Sequence, residues 1–256
     1  LVPLHTAAAQ LVGHWSFDEK SGRVAEDATE RAGSLVAATD PVWVDGPVPG
    51  AGAVKGDGVE FHMATQGPPL RTDESFSIAA WLRLDSDLVG SRLTLKPDWY
   101  ALTALAQSGV YHSAFYLGIR NIEYGGEGTG DYHLHWNFTV APVDGSDDGP
   151  VDWVHAHSTT ELTDADVDDW VLVVGVYDLE ARVARIHLPG RGGDGEEALP
   201  HDWPKWSAEE RLDVGQAWFR DEFVDQWPGS VGPISAHQGA LTDEDVRRLY
   251  EPPAPS

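Results

Sequence analysis

Two closely spaced histidine pairs are the residues best suited to chemistry. His133 and His135 flank Leu134, and His155 and His157 flank Ala156. At the two-residue period of a strand, each pair projects from a single face. If the two strands are neighbours in register, four imidazoles converge, a donor set suited to zinc, nickel or copper. The plainer reading of the same spacing is a half-exposed sheet face that meets water or lines a groove. Tyr132, Trp136 and Trp153 stand beside the pairs. Aromatic faces stack on sugar rings, so a groove here would suit a glycan. His14, His62 and His187 read as structural. Trp203, Trp206 and Trp227 fall in Pro-containing loops and are candidates for an exposed binding surface. Trp15, Trp43, Trp81, Trp136, Trp170 and Trp218 fall within or beside strands, where burial is the expectation.

The remaining chemical patterns fail on context. Asp164, Asp166 and Asp168 would share a face if extended, but they precede the strand opening at Trp170, and a solvated turn is the expectation. As a calcium loop the segment lacks the turn glycine, since Asp169 stands there, and Gly175 stands where a bidentate acid is required. Gly190, Gly192 and Gly195 satisfy Gly-x-Gly-x-x-Gly after a strand, yet residues 196–204 open no helix, so the run reads as a hairpin loop. No Glu-x-Asp-x-Glu pair, Gly-x-Ser-x-Gly elbow, phosphate loop or His-Glu-x-x-His motif occurs. With no cysteine, disulfides, thiol catalysis and iron–sulfur clusters are excluded. No catalytic residue is assigned.

The elements that must position these residues are strands. The chain has 256 residues, 41% of them hydrophobic, with 11 Trp, 7 Tyr and 7 Phe, enough for a large packed core. Its 17 Lys+Arg against 42 Asp+Glu give a formal charge of −25, which argues against nucleic acid or an anionic membrane surface as partner. The longest apolar run, 170–177, is 8 residues, far short of the roughly 18 that membrane insertion needs. Glycine and proline punctuate short segments of period-two alternation. These are Leu11–Phe17, Ser75–Leu84, Tyr100–Ala106, Ala114–Arg120, Tyr132–Val140, Val151–Ser158, Trp170–Tyr177, Arg182–Leu188, Leu212–Gln216 and Ser230–Ser235. Ten strands at this spacing indicate a sandwich or barrel. One helix is expected, capped by Thr242, acidic at Asp243, Glu244 and Asp245, apolar at Val246, Leu249 and Tyr250, and stopped by Pro252. Polar loops are expected at 125–130, 144–150 and 190–197. No internal repeat or linker interrupts 11–250, so one domain is expected there, with 1–10 a tether and 251–256 a Pro-rich tail.

The order of segments carries a resemblance. It runs from Val12-Gly13-His14-Trp15-Ser16-Phe17-Asp18-Glu19 through Ser21-Gly22 and Ala25-Glu26-Asp27. Val54-Lys55-Gly56-Asp57-Gly58-Val59-Glu60-Phe61 and Ser75-Phe76-Ser77-Ile78-Ala79-Ala80-Trp81-Leu82 follow. Asp169-Trp170, Val174-Gly175-Val176-Tyr177-Asp178, Trp227-Pro228-Gly229-Ser230-Val231 and Gly239-Ala240-Leu241-Thr242 complete it. Over 11–250 the chain resembles the laminin-G-like jelly-roll domains of the concanavalin A-like lectin/glucanase superfamily, found in large secreted actinobacterial proteins. The resemblance implies an all-β, two-sheet antiparallel jelly-roll sandwich with one short C-terminal helix. It also implies a secreted or cell-surface location, linkage to other domains, and in many members a calcium ion. The matching calcium carboxylate is Asp27, with backbone carbonyls near Ala32 and Gly33 as helpers; the alternative for Asp27 is a loop-capping acid. Gly232, followed by Pro233, stands where the closing strand usually offers an acid. The leading expectation is a non-catalytic module that binds a glycan or a protein partner. Its alternatives are a structural spacer or assembly domain of a large surface or toxin-like protein, and a glycan-active or metal-dependent enzyme.

Overall fold

The computed structural model describes residues 8–89, 101–145, 149 and 151–251. Most of the expected tether and the tail at 252–256, with parts of Tyr100–Ala106 and of the 144–150 loop, lie outside the described residues. In chain order the strands begin with β1 (Gln10–Trp15), β2 (Val24–Ala25), β3 (Leu35–Ala37), β4 (Val42–Asp45), β5 (Gly52–Lys55), β6 (Met63–Ala64) and β7 (Phe76–Leu84). Next come β8 (Ala101–Ser108), β9 (Ser113–Glu123), β10 (Tyr132–Val140), β11 (Val154–His157), β12 (Val171–Asp178) and β13 (Val183–His187). The last are β14 (Gly195–Ala198), β15 (Leu212–Val214), β16 (Ala217–Phe219), β17 (Glu222–Val224) and β18 (Gly229–Gln238). Two short helices, α1 (Ser86–Val89) and α2 (Asp243–Tyr250), accompany them.

Sixteen strands form two antiparallel sheets of eight. The first runs β14-β13-β12-β7-β18-β5-β4, with β1 also paired to β18; the second runs β11-β10-β9-β8-β15-β6-β3-β2. β16 and β17 form a separate hairpin. The sheets pack face to face around one large core that includes Trp15, Phe76, Ile78, Phe115, Trp136, Phe138, Val173 and Trp227. Alternation explains who points inward. On β7, Phe76, Ile78, Ala80 and Leu82 enter this core, while Ala79 and Trp81 face the opposite way. That second face is itself covered by α2, whose Val246 packs with Ala79, Leu172, Val174, Val176 and Leu241. The fold is therefore the expected two-sheet sandwich, with the one substantial helix where its sequence signals placed it.

All ten strands read from alternation are present. The sequence missed strands of two to four residues, such as β2, β3 and β6, which are too short to show a period. Gln10, expected in the tether, opens β1. The 190–197 run is in large part the turn of the β13–β14 hairpin, with Gly190 and Gly192 at φ of 78° and 80°. Asp164–Asp166 form a single 3-10 turn, as the solvated-turn expectation required in shape, but Asp166 is buried and paired with Arg191. Among the described residues, no helix is long and apolar enough to cross a membrane.

Candidate ligand-binding cavity

β10 and β11 are indeed neighbours, and all four histidines lie on the outer face of the second sheet. Their strand neighbours Leu134, Trp136, Phe138, Val154 and Ala156 take the core face. The register, however, pairs Asn137 with His157 and Thr139 with His155. The offset spreads the imidazoles into a row instead of gathering them. His133 stands between Glu161, 2.7 Å from Nδ1, and Asp131, 3.0 Å from Nε2. Those carboxylates raise its pKa despite some desolvation. His135 is buried and fastened, with Nδ1 2.7 Å from the Ser158 carbonyl and Nε2 3.1 Å from the Tyr124 hydroxyl. The His157 ring meets His135 edge-on at 5.4 Å. Among the described residues, no three His, Asp or Glu side chains are grouped so as to hold a metal ion. The register thus arranges the histidines along the sheet face, the plainer of the two readings of their spacing, and does not bring the four imidazoles to one point.

One end of that row opens into a cavity of about 820 Å³ on the same outer face. Its floor comes from alternate residues of four adjacent strands. They include Thr103 on β8, Tyr116, Gly118 and Arg120 on β9, Asn137 and Thr139 on β10, and His155 on β11. Gly118 lets β8 and β9 come together beneath the floor, because a Cβ there would strike the Leu102 carbonyl of the adjoining strand. The β16–β17 hairpin supplies one wall with Phe219, Arg220, Val224 and Asp225. Its two-residue turn has positive φ at Arg220 (51°) and Asp221 (64°), the pattern of a type I′ hairpin. The wall is tied down by the Thr103 N–H donating to the Asp225 carbonyl at 2.7 Å. Asp152 and Trp153, just before β11, form the facing side.

The aromatic groups lie against one another. Trp153 sits 5.8 Å from Tyr116 and edge-on to Phe219 at 5.9 Å. The Tyr116 hydroxyl donates to the Trp218 carbonyl at 2.9 Å, and burial holds its pKa well above the usual phenol range. The polar groups are similarly constrained. Burial pushes the Asp225 carboxyl up to about 6, against the opposing pull of Arg120 and a Thr103 hydrogen bond. Burial also lowers the pKa of Arg120, and Asp225 works against that shift. His155 is driven down to about 3 by burial, then by Arg120 and His157, so it is neutral at physiological pH. Its Nδ1 lies 2.7 Å from the Thr139 hydroxyl, which accepts from the Asn137 amide at the same distance. Asn137 is buried, and its Oδ1 has no hydrogen-bond partner among the described residues. An apolar wall with converging donors and acceptors is the usual make-up of a small-molecule site, and the volume lies in the usual range.

Of the residues expected to bind ligand, only His155 lines this cavity. Trp153, noted as its aromatic neighbour, lines it too. Trp227 is fully buried in the main core, 6.2 Å from Trp136, and Trp203 is buried with its indole donating to the Tyr177 hydroxyl at 2.7 Å. Trp206 is half-buried and donates to the Ala141 carbonyl at 2.9 Å. The exposed tryptophan surface is thus a correction: these loops fold over the sandwich edge, and burying an indole outweighs the polar character of the segment. Sequence reasoning missed Arg120, Asn137, Thr139, Phe219 and Asp225. The polar stripe 133, 135, 137, 139 along β10 was the available signal for two of them.

Asp27 is nearly buried and accepts from five donors: the N–H groups of His14, Thr29, Arg31 and Ala32, and the Thr29 hydroxyl. Burial alone would raise its pKa, but the N–H and hydroxyl donors overcome this and hold it below the usual carboxylate range. Ala32 turns its N–H toward this carboxylate, and the Gly33 carbonyl accepts from the Trp15 indole at 3.0 Å. Oxygen atoms surrounded by N–H groups do not fit a calcium ion, whose ligands are oxygens. Asp27 here has the geometry of the loop-capping alternative.

No protein-family model matches the chain, and no curated protein matches it. Solved structures do. Domain 4 of AbnA, a GH43 extracellular arabinanase from Geobacillus stearothermophilus in complex with arabinotriose, is 16% identical, with a TM-score of 0.59 over 95% of this chain and 100% of that one. The binding domain of botulinum neurotoxin serotype D is 10% identical, with a TM-score of 0.61 over 94% of this chain and 51% of that one. Trypanosoma rangeli sialidase in complex with the inhibitor DANA is 12% identical, with a TM-score of 0.54 over 94% of this chain and 32% of that one. The chain thus spans the whole of the first, about half of the second and about a third of the last. At these identities the likeness is one of fold, and the fold is a β-sandwich shared with domains of glycan-active and receptor-binding proteins.

Proposed function

We propose that this chain is a non-catalytic binding module whose ligand is a glycan held in the outer-face cavity of the second sheet. The observation that carries the proposal is the cavity of about 820 Å³, in which Trp153, Phe219 and Tyr116 stand beside Thr139, Asn137, His155, Arg120 and Asp225. Sugars present apolar ring faces and equatorial hydroxyls, and this lining offers a partner for each. The arabinotriose bound by the arabinanase domain lends support at the level of fold. A secreted, laminin-G-like module within a larger protein fits the same reading. The test is binding of the folded protein to an immobilised oligosaccharide panel, followed by calorimetry on each positive. Trp153→Ala is expected to weaken binding at least tenfold with little change in melting temperature. Binding that survives Trp153→Ala and Asn137→Ala unchanged would remove the cavity from the proposal.

One observation favours a second reading, glycan hydrolysis. Asp152 and Asp225 both line the cavity, and a carboxyl titrating near 6 suits a general acid. Release of new reducing ends, lost in Asp225→Asn, would favour the enzyme over the binding module.

A further inference from the structure

The outer face of the second sheet continues beyond the cavity. The lining stops at Arg120 on β9, Asn137 on β10 and His155 on β11. Past them, two-residue alternation carries the same face through Ile122, His135, His133 and His157 to Tyr124, just after β9. Tyr124 is 43% exposed, yet its ring is fixed in place. It stacks on His135 at 5.7 Å, and the edge-on His133 ring lies 4.8 Å away. Its hydroxyl is 3.1 Å from His135 Nε2, and its backbone N–H donates to the Asp131 carbonyl at 2.8 Å. His133 is itself held between Asp131 and Glu161. A ring supported on one side by another ring and still open to solvent is a preorganised stacking platform. Between this platform and the cavity stands the half-buried His157. Its Nδ1 lies 3.2 Å from the His155 carbonyl, and its Nε2 makes no hydrogen bond among the described residues.

We infer that the ligand is an oligosaccharide chain that runs from the cavity along β10 and β11, over His157, to a further sugar residue stacked on Tyr124. This rests on the glycan reading above and deepens it, from a sugar in a cavity to a chain of stated direction. Continuity is the first support, since cavity, His157 and Tyr124 share one face of one sheet. Span is the second. Thr139, opposite His155 in the cavity, is four residues along β10 from His135, which supports Tyr124; that is about 13 Å of strand. One sugar ring does not cover that distance, and a chain does. Chemistry is the third. Aromatic surface stands at each end of the path, Trp153 and Phe219 in the cavity and Tyr124 outside it. Between them His157 offers a ring nitrogen to a hydroxyl. Isolated aromatic platforms along a polar row suit ring faces that alternate with hydroxyls, and give a protein partner no continuous apolar patch to cover.

The experiment is calorimetric titration of the whole chain with linear arabino-, xylo-, cello- and manno-oligosaccharides of two to six residues. Any further positive from the immobilised panel is added as a length series of its own. In at least one series the affinity is expected to rise tenfold or more from the disaccharide to the longer members and then to level off. Tyr124→Ala should abolish that rise, and Tyr124→Phe, which keeps the ring, should preserve it. Trp153→Ala should weaken every length. An affinity that does not change with length, or a rise that Tyr124→Ala leaves intact, would overturn the extended path and leave the glycan reading standing. Binding of no oligosaccharide, in solution or on the panel, would overturn both. If Tyr124→Ala does not fold, His157→Ala takes its place, with the loss of affinity expected in the longer members; equal loss at every length would overturn the path.

Discussion

Asp27 shows how one carboxylate organises a loop. Its two oxygens collect five donors, four of them backbone N–H groups: His14 on β1 and Thr29, Arg31 and Ala32 in the loop between β2 and β3. Charge-assisted bonds of this kind are worth more than neutral ones, so Asp27→Ala is expected to cost on the order of 2–4 kcal/mol, read as a drop in urea midpoint. Because the folded pKa is depressed, this stability is present above the unfolded value near 4 and is lost as pH falls through the folded one. Calcium or EDTA should leave the melting temperature unmoved. A calcium-dependent rise that vanishes in Asp27→Ala would contradict the N–H-lined geometry. Asp225 has the opposite sign. Its raised pKa means its contribution is fully present below the unfolded value near 3.8 and is lost as pH rises through about 6. Asp225→Asn is accordingly expected to raise the melting temperature at pH 7.5 and to leave it unchanged at pH 3.5.

At the scale of elements, the cavity depends on how β8 and β9 lie together. The pairing slips between Thr103 and Leu105, and Gly118 faces Thr103 beside that irregularity. The close approach of the Leu102 carbonyl leaves no room for a methyl group at Gly118. Gly118→Ala should therefore destabilise by about 1–3 kcal/mol and reduce ligand binding together, since the same shift disturbs the cavity floor. α2 is more independent. Thr242 accepts from the Asp245 N–H at 3.2 Å, while the Asp245 carboxylate accepts from the Thr242 N–H at 3.1 Å, a reciprocal cap. Thr242→Ala should cost about 1 kcal/mol without touching the cavity, which lies on the other sheet. A loss of ligand affinity in that variant would argue that the sheets are coupled.

At the scale of the whole molecule, histidines that folding keeps neutral work against acid stability, alongside the depressed carboxyls such as Asp27. Burial lowers His155 to about 3 and His237 to about 4. Both sit below the unfolded value near 6.5, so the unfolded chain binds more protons and stability falls as pH drops through 6.5 toward the folded values. The double variant His155→Gln, His237→Gln should show a flatter melting temperature between pH 7 and 5 than the parent chain. An unchanged slope would assign the acid sensitivity to other groups.

Local pattern was enough to reveal an all-β fold, sandwich or barrel, because period-two alternation is written within each strand and does not depend on its neighbours; the choice of a two-sheet sandwich came from the order of segments and their resemblance to a known family. Local pattern was enough for α2 as well, where Thr242, three acids and an apolar face lie within nine residues. The cavity was different. Arg120, Thr139, His155 and Asp225 belong to β9, β10, β11 and the chain just after β17, and nothing near any one of them in sequence names the others. Register made the decision: pairing Thr139 with His155 spread the histidines into a row and carried His155 toward Arg120. Register is a property of two strands together, and hairpin docking of a third. Residue spacing therefore announced that histidines share a face, while only the packed sheet determined what that face encloses.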